Sequence, residues 1–152
     1  MDVQLKIREA VKNDIEKILA VENGSFPVPW NEQAFKCEFS KQASGMNLFF
    51  VSADIDTGDI AGYAVGNVIV DFVHILNIAV APQFRGKGIG RELLKAVERE
   101  ALKRKFFSLT LEVRETNDPA INLYKKSGYM VKGRREKSYN GIEDELLMWK
   151  TL

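Results

Sequence analysis

The chain has 152 residues, 45% of them apolar and 28% charged, which is the composition of a folded globular protein rather than of a disordered or fibrous one. Its 22 Lys and Arg nearly cancel 21 Asp and Glu, so the net charge of +1 supplies no global field to hold a nucleic acid or an anionic membrane, and any anion site must be local. One cysteine, Cys37, and one histidine, His74, exclude by count a disulfide framework or a Cys/His metal cluster.

A chain of this size fits a single domain over residues 1–152, able to bury roughly 68 to 70% of the surface its unfolded form exposes. No apolar run approaches the ~20 residues of a membrane span. Met1 and Asp2 lead into alternating polar residues rather than into a signal peptide, and a cytoplasmic location is expected.

Val3, Leu5 and Ile7 alternate with polar residues, the period of a half-buried strand. Asn13 then offers an N-cap with Glu16 three residues on, and Ile15, Ile18, Leu19 and Glu22 follow helical spacing to a stop near Asn23-Gly24. The loop SFPVPW is stiffened by Pro27 and Pro29 around Val28, and a second helix starts near Asn31 with Cys37 inside its apolar pattern. Asn47–Ile55 and Ile60–Val70 read as a hairpin about Thr57-Gly58-Asp59. Phe72–Val80 is nearly all apolar, as for a central strand covered on both faces.

Beyond Gly90, the residues Leu93, Leu94, Val97, Ala101 and Leu102 make one apolar stripe, so a third helix runs to about Arg104. Ser108–Arg114 alternates as a strand. Asn117-Asp-Pro119 opens a fourth helix that stops at Gly128, and Tyr129–Tyr139 and Glu145–Thr151 form a last strand pair joined through Asn140-Gly141. The order β α α β β β α β α β β contains one βαβ unit after a meander. It predicts an α/β fold, one mixed seven-stranded sheet with helices on both faces.

Between the central strand and the third helix stands Arg85-Gly-Lys-Gly-Ile-Gly90. Glycine loses more freedom on ordering than any other residue, so three glycines in five positions imply positive φ or a closely approached backbone. A strand, a glycine turn and a helix N-terminus bring unpaired N–H groups to one point where the helix dipole also favours negative charge. Arg85, Lys87 and Arg91 add side-chain charge there, which points to a phosphate cradle. A dinucleotide Gly-x-Gly-x-x-Gly fingerprint fails because Arg91 stands where its last glycine belongs, and Walker A fails because Gly90 is followed by Arg-Glu.

Arg85-Gly-Lys-Gly-Ile-Gly90 resembles the Arg/Gln-x-x-Gly-x-Gly/Ala pyrophosphate loop of the GNAT acyltransferase superfamily. LEVRETNDPAINLY and FPVPW are similar to the strand-to-helix segment and the substrate loop of its ribosomal-protein alanine acetyltransferases and archaeal amino-terminal acetyltransferases. The resemblance covers nearly the whole chain, in order. It implies acetyl-CoA as co-substrate, with the diphosphate on the backbone of Arg85, Gly86, Lys87, Gly88, Ile89 and Gly90. The pantetheine arm would then lie beside Ile78, Ala79 and Val80, and Asn117 and Tyr124 would touch it.

It further implies Glu112 as general base through water, Tyr124 as general acid, and Phe26, Pro27, Val28 and Tyr139 as contacts to the substrate. Tyr139 matches one tyrosine of a family pair whose other member is Ser138 here. The substrate so implied is the α-amine of a protein with a small first residue, a ribosomal protein among the candidates; a lysine or small-amine acetyltransferase and a silent acyl-CoA sensor are the alternatives. No nucleic acid or membrane partner is expected, and the assembly is a monomer or homodimer. From their positions in the pattern, Cys37 and His74 are read as structural rather than as a nucleophile and its base.

Overall fold

In the computed structural model, which describes residues 3–152, the strands and helices come in the predicted order. They are β1 (Leu5–Glu9), α1 (Ile15–Asn23), α2 (Glu32–Ala43), β2 (Asn47–Asp54), β3 (Ile60–Ile69), β4 (Phe72–Val80), α3 (Ile89–Lys103), β5 (Ser108–Arg114), α4 (Asp118–Lys126), β6 (Met130–Tyr139) and β7 (Glu143–Thr151). Short 3-10 turns at Lys12–Asp14 and Pro82–Phe84 lead into α1 and toward α3.

The N-cap expected at Asn13 does not form. Asp14 stands at the N-cap of α1 without a side-chain bond to that helix: its Oδ2 reaches back to the Val11 N–H at 2.9 Å, and the same carboxylate receives both terminal nitrogens of Arg8 at 2.8 and 3.0 Å. The predicted caps at Asn31 and Asn117 do form, accepting from Ala34 N at 3.0 Å and Ala120 N at 3.4 Å.

All seven strands join one sheet in the order β1-β2-β3-β4-β5-β7-β6, antiparallel except for β4 beside β5. On one face α3 buries Ile89, Leu93, Leu94, Val97 and Ala101, with Ile121 and Tyr124 of α4 in the same cluster. On the other face Ile15, Ile18 and Val21 of α1 and Phe35 and Phe39 of α2 cover Phe49, Val51, Tyr63 and Val65. Stacking of Phe39 on Phe49 at 4.8 Å and the edge of Phe35 on Tyr63 at 5.5 Å fix that second core. Among the described residues no helix is long and apolar enough to cross a membrane.

What positions the site is an irregularity in the middle of the sheet. Val65 pairs with Asn77 but Gly66 pairs with Ile75, so Leu76 is an extra residue bulged out of β4. A bulge bends and twists its strand, and β4 accordingly pairs with β5 only over Val73–Ile75 before the two part. Full cover of β4 on both faces was expected, yet Leu76, Asn77 and Ile78 are only half-buried because they line the opening. β5 stays paired along its whole length, Ser108–Arg114 against Thr151–Glu145 of β7.

Candidate active site

The parted strands open a groove with two lobes. The larger, about 380 Å³, runs from the glycine loop past Ile78, Ala79 and Val80 to α4, and is lined by Phe84, Arg85, Gly86, Gly88, Ile89, Gly90 and Arg91 at its far end. The smaller, about 90 Å³, lies beyond and holds Glu22, Val28, Trp30, Glu112, Tyr139 and Glu145. Phe26, Ile78, Arg114, Asn117, Ala120 and Tyr124 line both, so the lobes meet at Tyr124.

At the outer end Gly86 and Gly88 have φ of 78° and 79°, a region that costs an L side chain about 1 to 2 kcal/mol, and a Cβ on either would meet no atom within 4 Å. Their conformation is needed, while the space above them is open. Among the described residues the N–H groups of Gly86, Lys87 and Gly88 make no hydrogen bond, and in the first turn of α3 the first backbone bond is that of Glu92 to the Gly88 carbonyl at 3.1 Å. Arg85 stands slightly apart: its N–H is taken by the Pro82 carbonyl at 3.3 Å, so the run of bare amides begins at Gly86. The Arg85 side chain crosses the groove, donating to the Val80 carbonyl at 3.0 Å and to Ser25 Oγ at 3.3 Å. Lys87 leans over the Phe84 ring instead of lining the groove, and Arg91, on the first turn of α3, lines it.

At the junction Tyr124 is 5% exposed, its ring edge against Tyr129 at 5.9 Å. Burial pushes its phenol well above the ordinary range, so it carries its proton at any working pH. Asn117 spends its side-chain oxygen capping α4, which leaves the amide NH2 on the groove wall.

In the inner lobe Glu112 accepts from Arg135 Nη1 at 2.6 Å; the partner comes from β6, not from the neighbouring Arg114. Arg114 instead lies 5.3 Å over the Tyr139 ring and 3.5 Å from Glu143. The Tyr139 hydroxyl accepts the Val28 N–H at 3.0 Å and donates to the Val28 carbonyl at 3.3 Å, pinning the apolar loop to the far side of the sheet. Phe26 and Val28 line the groove; Pro27 does not. His74 sits outside it, its Nδ1 2.6 Å from Thr110 Oγ1, and burial pushes its imidazole below the ordinary value, toward the neutral form. Cys37 is exposed on α2 and lines neither lobe.

Glu22 is the residue that pattern reading passed over. It is 1% exposed, and its carboxylate accepts from the Trp30 N–H at 2.8 Å, from the Asn77 amide at 3.1 Å and from the Tyr63 hydroxyl. Burial lifts its carboxyl above the usual range against these donors. The one carboxylate therefore joins α1, β3, the bulged β4 and the end of the loop between α1 and α2. A signal was present in the sequence: a charged residue on the apolar stripe of a helix is out of place unless it is paired.

Known proteins share the sequence pattern and the fold. The sequence profile of the Acetyltransferase (GNAT) family matches residues 15–129. The N-alpha-acetyltransferase of Sulfurisphaera tokodaii is 34% identical, with 95% of this chain and 92% of that one covered. The ribosomal protein bS18-alanine N-acetyltransferase of Escherichia coli is 30% identical over 89% of each chain. The crystal structure of the ribosomal-protein-S18-alanine N-acetyltransferase from Escherichia coli superposes with a TM-score of 0.86 at 29% identity, covering 97% of this chain and 94% of that one. Parted central strands, a glycine-rich helix entry and this sequence kinship together place the chain in the GNAT family, as an acetyl-CoA-dependent N-acetyltransferase.

Proposed function

We propose that the protein acetylates the free α-amine of a protein whose first residue is small, with coenzyme in the larger lobe and peptide in the smaller one at the same time. The observation that carries this reading is the two-lobed groove meeting at Tyr124. A direct transfer needs donor and acceptor to reach one point from opposite ends, and no cysteine in the groove offers a covalent relay.

The residues fit the coenzyme. Bare amides from Gly86 into the first turn of α3 suit a diphosphate, and Arg91 adds a full charge. The β4 edge beyond Ile75, left unpaired by β5, suits an amide-bearing arm alongside Ile78, Ala79 and Val80. Asn117 can donate to that arm. The loop from Phe26 to Val28, stiffened by prolines and held by Tyr139, loses little freedom on closing round a small side chain.

Glu112 acts as the base. An α-amine, with a pKa of about 7.7 to 8.0, needs only modest help to shed its proton, whereas a lysine at about 10.4 needs far more. The nitrogen lone pair then forms the new C–N bond as the C–S bond breaks; Tyr124 gives its proton to the departing sulfur, and the second proton shed by the acylated nitrogen restores the phenol. Burial does not unfit the phenol for this role, because a thiolate left in the same apolar surroundings is made more basic by the same lack of solvent. The relatives named for ribosomal protein bS18 make a ribosomal amino terminus the natural first substrate to try.

The test is a set of peptides differing only at the first residue, with blocked-terminus peptides carrying an internal lysine, each incubated with acetyl-CoA and mapped by mass spectrometry. Acetyl on the α-nitrogen of peptides with small first residues is expected. Acetyl on lysine alone would overturn the reading.

A further inference from the structure

Two of the three carboxylates in the inner lobe, Glu22 and Glu145, have no cationic partner among the described residues, and they differ in how they are held. Glu22 is satisfied by Trp30, Tyr63 and Asn77, and Glu112 by Arg135. Outside the lobe, Glu143 takes Arg114, and Asp144 takes Arg134 at 2.7 Å. Glu145 makes no ion pair among the described residues; Ser138 Oγ donates to its Oε1 at 2.9 Å, and the Glu112 carboxyl lies against it. Ser138 is the position at which the resemblance implies a second tyrosine, and its hydroxyl is what holds the Glu145 carboxylate.

The strand register shows where this carboxylate points. Glu145 of β7 lies opposite Arg114 of β5 and Arg135 of β6, on the face of the sheet that also carries Glu112. It lines the inner lobe but not the junction at Tyr124, so it stands beyond the point where the reacting nitrogen must sit. Burial raises its carboxyl above the usual range; the Ser138 hydroxyl opposes, the Glu112 carboxyl adds to the rise, and Arg135 opposes more weakly. The two arginines opposite it are engaged elsewhere, Arg135 with Glu112 and Arg114 with Glu143, so Glu145 has no cation of its own.

We propose that Glu145 is a specificity-determining residue that receives a basic side chain at the second or third position of the substrate peptide. This inference rests on the N-terminal reading above and deepens it. The α-nitrogen cannot be the cation in question, because it must be neutral and at the junction when it reacts. Ser138 holds the carboxylate in place, and a Lys or Arg that follows the acetylated residue supplies the counter-charge the lobe lacks.

The experiment compares kcat/KM for peptides identical except for Lys, Gln or Glu at the second or third position, in the wild-type protein and in Glu145→Gln and Glu145→Lys. The wild type should favour the Lys peptides over the Gln peptides about fivefold, the size of one partly exposed ion pair, with the preference shrinking as salt is raised. Glu145→Gln should bring the Lys to Gln ratio close to one, and Glu145→Lys should turn the preference toward the Glu peptides. Equal use of all peptides by the wild type, or a Lys preference that survives in Glu145→Gln, overturns the role of Glu145 and leaves the N-terminal reading standing. Failure to acetylate the α-amine of any peptide overturns both. Should the variants not fold, the salt dependence in the wild type decides: a Lys preference indifferent to salt also overturns it.

Discussion

Replacing Gly88 by alanine separates a phosphate cradle from an ordinary turn. The φ of 79° costs an alanine about 1 to 2 kcal/mol if the loop keeps its shape, and no neighbouring atom within 4 Å obstructs the added methyl. In the free protein that loop can relax, because the amides of Gly86, Lys87 and Gly88 hold nothing. Bound coenzyme would demand the original shape and would occupy the space the methyl enters. The strain should then appear as lost affinity, a rise in Kd of about 5- to 30-fold by calorimetry. Gly45→Ala is the matched control: its φ is 72°, nothing lies within 4 Å, and it sits in the turn from α2 to β2, away from the groove. It should lower thermal stability by a similar free energy and leave Kd alone. If Gly88→Ala behaves like Gly45→Ala in both measurements, the loop is only a connection and the reasoning fails.

Tyr124→Phe should cut kcat about tenfold or more while coenzyme affinity by calorimetry stays near wild type; full turnover removes the phenol from the chemistry. Tyr139→Phe frees the Val28 N–H and carbonyl, and with about 1 kcal/mol of loop anchoring lost the peptide KM should rise about fivefold; an unchanged KM would show that the loop is held by its prolines alone. Asp14→Asn removes the Arg8 pair, which with Arg8 more than a third exposed should cost about 1 to 2 kcal/mol near neutral pH by urea unfolding. Burial alone would raise the Asp14 carboxyl, but Arg8 and the Val11 N–H together hold it below its ordinary value of 3.8. Its contribution is therefore present above that ordinary value and lost as pH falls through the lower folded one. The gap between variant and wild type should close only in that acid range, and a gap that closes near neutrality would point to another group.

Much of the fold was legible because its elements differ in period. Two-residue alternation in Ser108–Arg114 and the stripe of Leu93, Leu94, Val97 and Ala101 are local properties, and β4, β5 and the start of α2 fell where they were read. The glycine loop was legible for the same reason, its cost being written into five consecutive positions. What escaped reading depends on residues far apart in the chain. Arg8 holds Asp14 from the neighbouring strand; Glu22 meets Tyr63 and Asn77 across 41 and 55 residues; Arg135 reaches Glu112 across 23. The Leu76 bulge likewise follows from how β3 and β4 settle against each other, since nothing in Phe72–Val80 marks one residue as extra. Each of these is a tertiary choice among partners that look equivalent along the chain.

Amide proton–nitrogen correlation spectra, recorded as coenzyme A and then pantetheine are added, test the central claim most directly. With coenzyme A the largest shifts should fall on the amides of Gly86, Lys87, Gly88 and Gly90 and on Ile78 to Val80; pantetheine, which lacks the diphosphate, should move only the β4 set. Shifts centred elsewhere, or a glycine loop that responds equally to both compounds, would contradict the account.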